Sequence, residues 1–454
     1  MVRIAIAAAS CLAFFACIAP SSDPAGEDPK PGPTSNPPHS GHEHTSGKAD
    51  DLPCAIDALM KAKCQGCHGD PLLYGAPVPL FDVADFEHKD GKEALADVAL
   101  RYLKGEGRVM PPAPNTRATD EEIAAFEEWV ALGLPGRGDA TCGEHPHPPD
   151  KMDPPEPPPP GTCSDSPKLA PASKYTLGTS VTDTYVCYGV DLPKSAKRRQ
   201  VIAMTPTLDN TQVLHHMIVF TASKSRSGTP SPCAQMESDW KMLYGWAPGS
   251  TGSQMPKEAG FPIEANAVTH LVVQLHYSNP SHASGKQDGS GVELCLTETL
   301  RDEDADFMVF GGTSFTLQPG KKLRMVCDVK APQQLAPYLP VNVFATFPHM
   351  HKLGTRSKLE LIPKSGAPTT LVDVNPWDFN HQISYPTDVQ MKAGDTVRIT
   401  CEWHNTTPDP VYYGEETAEE MCFNFITYYP KITVAQWSYL APLQLSTCTN
   451  TDLP

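Results

Sequence analysis

Two hydrophobic periodicities divide the chain. Between Thr119 and Leu132 apolar residues recur at helical spacing, with Ile123, Phe126, Trp129 and Val130 on one stripe. Thr119 with Glu122 makes a capping box, and Gly133 can end the helix. The pattern predicts the closing helix of a small helical unit over residues 51–142. After residue 161 helical periodicity fades. Short β-branched and aromatic runs alternate with Gly, Pro, Asn and Asp turns, at 200–205, 213–222, 270–277, 342–347, 396–403 and 425–429. Many short strands with frequent turns predict antiparallel β-sandwiches. The stretch is long for one sandwich, so two in tandem are expected, over 161–302 and 303–454. The charged run 301–306 is the expected hinge between them.

The other segments bury little. Residues 1–19 place Arg3 before an alanine-rich apolar run, too short for a permanent span, and read as an export signal. Cys17 follows Phe-Phe-Ala and precedes a polar, proline-rich tail, which loosely resembles a bacterial lipoprotein cleavage site, although Phe14 fits it poorly. A lipid anchor at Cys17 is therefore the one membrane attachment to consider. Residues 20–50 are rich in Ser, Pro, Gly, Asp and Lys and read as a disordered tether, with His39, His42 and His44 as solvated side chains. Residues 143–160 carry His145, His147 and a proline run, a semi-rigid spacer.

Charge and cysteine usage narrow the class. The formal net charge is −17, with no basic stripe, which argues against nucleic acid as a partner. Of the 14 cysteines, two lie in the signal and Cys64 and Cys67 form a motif of their own. The ten left in an exported chain predict five disulfides, and leave histidine and methionine to bind metal. The expected location is the bacterial periplasm or cell envelope.

Cys64-Gln-Gly-Cys67-His68 has the C-x-x-C-H spacing of c-type haem attachment: two thiols add to the vinyl groups and the histidine becomes the proximal iron ligand. The competing reading is a redox or zinc C-x-x-C, but no second C-x-x-C exists to complete a zinc site. Met110, in Gly-Arg-Val-Met-Pro-Pro, is the candidate sixth ligand; Met60, in the preceding helix, reads as core. The segment resembles a small class I cytochrome c. Cys54 and Cys142 flank it and could staple its ends.

The β region carries a second chemistry. Residues 213–220 read Val-Leu-His-His-Met-Ile-Val-Phe. Neighbouring strand residues face opposite ways, so one metal takes both His215 and His216 only if the strand twists or bulges there. His276 lies at a strand end in Leu-His-Tyr-Ser-Asn-Pro, while His349 and His351 form an H-x-H pair on one face. Met421 adds a thioether. Imidazole suits several metals, a soft sulfur favours copper, and no H-E-x-x-H pattern supports a zinc protease.

Four stretches in order are similar to the copper type II, ascorbate-dependent monooxygenases, the family of dopamine β-hydroxylase and peptidylglycine α-hydroxylating monooxygenase. They are Leu214-His215-His216-Met217, Leu275-His276-Tyr277-Ser278-Asn279-Pro280, His349-Met350-His351-Lys352-Leu353-Gly354 and Glu420-Met421-Cys422-Phe423-Asn424-Phe425. The resemblance implies one copper on His215, His216 and His276, and another on His349, His351 and Met421, where O₂ and a small-molecule substrate meet. It implies hydroxylation of an activated C–H bond, the first copper supplying an electron. It also implies disulfides Cys163–Cys295, Cys187–Cys233, Cys327–Cys448 and Cys401–Cys422. A further cysteine of the peptide-hydroxylating branch is replaced by Thr221, and Asn424 and Phe425 are shifted by one residue against that branch, so a peptidylglycine substrate is disfavoured. His270, His282, His381 and His404 match no ligand position. The fused haem departs from the animal enzymes; its expected use is electron entry, in place of or beside ascorbate or a redox protein. The rival expectations are an envelope copper-binding or electron-transfer protein without turnover, and a binding module with vestigial metal sites.

Overall fold

The computed structural model describes residues 51–454 apart from 71, 75, 91–92, 107–108, 112–114, 139–141, 143–161, 179–180, 182, 234–235, 238, 249, 251, 280–284, 380–381, 415–416 and 435–439. The expected signal 1–19 with Cys17, the tether 20–50 and the spacer 143–160 lie outside the described residues, as do His282 and His381. Residues 46–454 form one compact unit. It is mainly β, with several antiparallel sheets and few helices. Among the described residues no helix is long and apolar enough to cross a membrane.

Most of the described helices lie near the start, with short ones at Gln333–Tyr338 and Ala441–Gln444. Cys54–Leu59 runs into a wider turn at Met60–Cys64, followed by Val83–Glu87, Leu95–Leu103 and Asp120–Ala131. Thr119 Oγ1 accepts the Glu122 amide at 3.2 Å, and Glu122 Oε2 accepts the Thr119 amide at 2.7 Å. Gly133, at φ +80°, turns the chain out of the helix, as a residue without Cβ can. Phe86, Phe126 and Trp129 meet edge to face at 5.2–5.7 Å in a small core that also buries Met60. Cys54 and Cys142 are disulfide-bonded beside it.

In the first β half, one sheet runs in the order Glu303–Asp304, Ala259–Ile263, Arg199–Thr207, Gly291–Thr297, Lys168–Leu169. The facing sheet runs Ser231–Pro232, Asp183–Leu192, Thr269–Ser278, Leu214–Ala222, Lys241–Trp246. Between them lies a core that takes Leu271, Val273 and Leu275 from one face of the central strand. Alternation would leave the other face wet, yet Val272, Gln274 and His276 are buried too. Val272 packs there with Phe220, Trp240, Met242 and, from the second half, Phe347.

The second half repeats the plan with a sheet of Asp306–Gly311, Phe423–Tyr429, Val341–His349 and Tyr385–Met391. Its companion sheet holds Thr369–Val374, Gly354–Ile362, Thr396–His404, Lys322–Lys330 and Thr447–Leu453. Lys322–Lys330 alternates buried and exposed along its length, the mark of a sheet with one covered face. Disulfides join Cys163 to Cys295, Cys187 to Cys233, Cys327 to Cys448 and Cys401 to Cys422.

The run 301–306 differs from the hinge expected of it. Arg301 donates to the carbonyls of Met255, Pro256 and Ala259, and Gln200 Nε2 donates to Glu303 O and Asp304 Oδ1. Glu303–Asp304 also pairs in parallel with Ala259–Gly260. Arg301 and Asp304 have fixed partners on neighbouring strands, so the run is a pinned crossing.

Candidate metal centres

The first cluster depends on one extra residue. In the pairing of Leu214–Ala222 with Thr269–Ser278, His216 stands opposite His276 and Leu214 opposite Tyr277. His215 has no cross-strand partner there and is the bulged residue, and a bulge re-aims a side chain. The three Nδ1 atoms of His215, His216 and His276 lie 3.2 Å from one another. The centre of such a triangle is about 1.8 Å from each corner, close to the roughly 2.0 Å of a metal–imidazole bond. His276 Nε2 donates to Asp183 Oδ1 at 3.0 Å, which leaves its Nδ1 lone pair pointing inward. Lys352 Nζ lies 4.0 Å from the other Asp183 oxygen, and the Tyr185 ring stacks on His276 at 4.4 Å. Burial holds the His216 pKa well below its usual value, helped by the four neighbouring histidines His276, His215, His349 and His351. The residues therefore fit a bound metal: three neutral donors converging on a space of ionic size.

The second cluster uses strand ends and loops. His349 closes the strand Val341–His349, His351 follows in the turn, and Met421 precedes Phe423–Tyr429. His349 Nδ1 donates to Gln382 Oε1 at 2.6 Å and His351 Nδ1 to Glu419 O at 2.9 Å, so both rings keep Nε2 free for a metal. The rings stand 5.3 Å apart and nearly perpendicular. Burial, with His351 beside it, pushes the His349 pKa down to about 3. Behind them the buried Glu420 carboxylate accepts N–H groups from His351, Leu353, Met421 and the Trp403 ring at 2.6–3.2 Å. Burial pushes Glu420 up to about 7 against the pull of those donors. The Cys401–Cys422 disulfide ties the Met421 segment to the companion sheet.

Both clusters open on one cleft, lined by His216 from the first and by His349, His351 and Met421 from the second. Phe379 stands between them, its ring 6.4 Å from His215 and from His276 and 5.9 Å from His351. Sequence reasoning missed Asp183, Gln382, Glu420 and Phe379. Of these only Glu420 lay in a stretch already singled out, next to Met421. His270 lies apart from the cleft, with Nδ1 2.8 Å from Asp191, and His404 ends the strand Thr396–His404.

In the helical segment Cys64 and Cys67 form no disulfide with each other. Burial pushes their thiols up to about 12 and about 11. His68 Nδ1 donates to Val78 O at 2.8 Å, again leaving Nε2. Met110 is half-buried, its amide donating to Tyr102 O at 3.1 Å. The Tyr74 amide, in the loop after the motif, donates to Thr211 O at 2.5 Å, and its ring packs on the first β core.

A sequence model of the copper type II ascorbate-dependent monooxygenase N-terminal domain matches residues 172–284, and one of the C-terminal domain matches 304–451, together more than half of the chain. Dopamine beta-hydroxylase of Rattus norvegicus is 28% identical over 279 residues, covering 56% of this chain and 44% of the rat protein. The Homo sapiens dopamine beta-hydroxylase is 27% identical over 274 residues, 55% of this chain and 44% of its own. MOXD1 homolog 1 of Drosophila melanogaster is 28% identical over 309 residues, 60% of this chain and 44% of its own. The chain thus spans about 44% of the length of these relatives. The solved structure of allantoicase aligns at 9% identity with a TM-score of 0.15, which carries no argument.

Proposed function

The chain belongs to the copper type II ascorbate-dependent monooxygenase family, and we propose that it hydroxylates an activated C–H bond of a small molecule with O₂. The balance is R–H plus O₂, two electrons and two protons, giving R–OH and water. His215, His216 and His276 hold one copper; His349, His351 and Met421 hold the other. When bound, the pair supplies one-electron redox chemistry and O₂ activation. The carrying observation is the convergence of three Nδ1 atoms at 3.2 Å, with a second imidazole pair and a thioether on the same cleft. The soft Met421 sulfur favours Cu(I) over zinc. Asp183 and Gln382 fix the ring orientations.

The fold is read as two tandem sandwiches behind a haem-bearing helical unit. Cys64 and Cys67 carry the haem, His68 is its proximal ligand and Met110 the sixth. Two features support this over a redox C-x-x-C. A reactive pair has a thiol pKa below the usual value, whereas both thiols here are raised. The His68–Val78 bond sets the tautomer that a proximal ligand needs. The Tyr74–Thr211 contact joins the segment after the haem motif to the loop before His215, so a haem held there would offer electrons from ascorbate or a redox protein an entry on the side of the first cluster. The five disulfides support an exported protein.

Metal analysis and an absorbance spectrum of the purified protein test the framework: two coppers and one covalent haem per chain are expected. Oxygen uptake stoichiometric with a hydroxylated product tests the activity. Intact metal content without uptake would leave an electron-transfer protein instead.

A further inference from the structure

We propose that the substrate is an uncharged, mainly hydrocarbon molecule with at most one neutral polar group, seated on Phe347, Phe423 and Phe425 with its reacting carbon toward His349, His351 and Met421. This rests on the hydroxylase reading above and adds the chemical class of what is hydroxylated.

The cleft between the clusters carries no Asp, Glu, Lys or Arg among its described lining residues. Ile218, Phe220, Met242, Phe347 and Phe425 belong to one packed apolar patch of the lining, and Phe423 packs beside Met421. The nearest ionisable groups are already engaged. Asp183 faces His276 and Lys352, Glu420 accepts its N–H donors, and Lys241 is paired with Asp306. An ammonium or carboxylate entering this cleft would shed its water and meet no counter-charge among the described lining residues, which disfavours it. Two neutral polar groups remain apart from the histidines. The Tyr185 hydroxyl is hydrogen-bonded to Thr417 Oγ1 at 3.2 Å, and Gln274 Nε2 donates to Cys233 O at 3.3 Å. The Gln274 carbonyl oxygen is the group placed to accept from a substrate hydroxyl. Aromatic walls also favour a flat ring, which stacks or meets them edge-on.

The test separates binding from turnover. The copper-loaded, oxidised protein, which cannot turn over without reductant, is titrated with ethylbenzene, propylbenzene, butylbenzene, 2-phenylethanol, 2-phenylethylamine and 3-phenylpropionate. Binding is read from the copper(II) electron spin resonance signal. The alkylbenzenes should gain about fourfold in affinity per methylene until the cleft is full. The amine and the carboxylate should bind about 100-fold more weakly than neutral compounds of the same length. Phe425→Ala should weaken butylbenzene about tenfold at unchanged copper content. Charged ligands binding as well as neutral ones, no binding by any, or an indifferent Phe425→Ala overturns the proposal. Neutral compounds that bind yet are never hydroxylated with reductant and O₂ support the binding class and overturn the activity instead.

Discussion

The first histidine cluster is built in the middle of a sheet, the second at the sheet's margin. His276 lies on the central strand of its sheet, and His216 faces it across the ladder. One bulged residue brings in His215. Three donors then come from two adjacent strands, and their positions are fixed by backbone pairing. The second cluster takes its donors from a strand end, a turn and a loop 70 residues further on. Backbone pairing alone cannot hold such segments together, and here the work falls to a buried carboxylate, a disulfide and two ring hydrogen bonds. A sheet-borne site keeps its geometry when its ion changes charge, which suits electron storage. A loop-borne site can admit O₂ and substrate at an open position, and it needs dedicated supports to stay assembled.

Removing a donor from either cluster should have the largest effect. His276→Ala should empty the first site and spare the second, and His351→Ala the reverse. Copper content should fall from two to one per chain in each case, and product formation should fall below detection in both. A variant holding one copper that still turns over at wild-type rates would remove the division of labour.

Support by Glu420 comes next. Glu420→Gln keeps the shape but turns an amide NH₂ toward groups that are themselves donors. Chemical denaturation of the metal-free protein should show a loss of about 3 kcal/mol. Asp183 is a partly exposed carboxylate bonded to the first cluster through one ring N–H, so Asp183→Asn should leave metal-free stability nearly unchanged. What Asp183→Asn should change is affinity. The first site should weaken by about 10–100-fold, measured by competition with a copper chelator, while the second stays as it was. Gln382→Leu should do the mirror image through His349. Equal weakening of both sites by either variant would mean the clusters are not held independently.

These supports mark the limit of what the sequence displays. The strands were legible because alternation and turn residues are local signals. So were the histidines, because an adjacent pair and an H-x-H are conspicuous in β runs. The bulge at His215 was stated as a condition but could not be located, since which residue is extra depends on the register of a partner some 60 residues away. Asp183, Gln382 and Phe379 sit in segments of ordinary composition and acquire their roles only when distant chain segments meet. The charged run 301–306 misled for the opposite reason. A cluster of charges reads as solvated until its partners, Gln200 and the carbonyls of 255–259, are known.

The smallest expected effect concerns the outer edge of the second half. Arg356 grips Asp373 through two bonds of 2.8 and 2.7 Å between the edge strand Thr369–Val374 and its neighbour Gly354–Ile362. The Arg356 hydrogen bond and charge hold the Asp373 carboxyl below its usual pKa. A depressed acid pKa means that the unfolded chain binds the proton more tightly. The stabilisation is therefore present above the ordinary aspartate range and disappears as pH falls through the lowered value. The pair is partly solvated, so its worth is about 0.5 kcal/mol. Asp373→Asn should lose that much at neutral pH and nothing at strongly acid pH, in paired denaturation curves. A route from this edge to the cleft exists: the Trp377 amide donates to Thr355 O and its ring N–H donates to His351 O. Unchanged copper affinity in Asp373→Asn would show that Glu420 and the disulfide isolate the second cluster from its sheet. A shift in that affinity would show the loop-borne site tracking its sheet after all, and the contrast with the first cluster would narrow to ligand type alone.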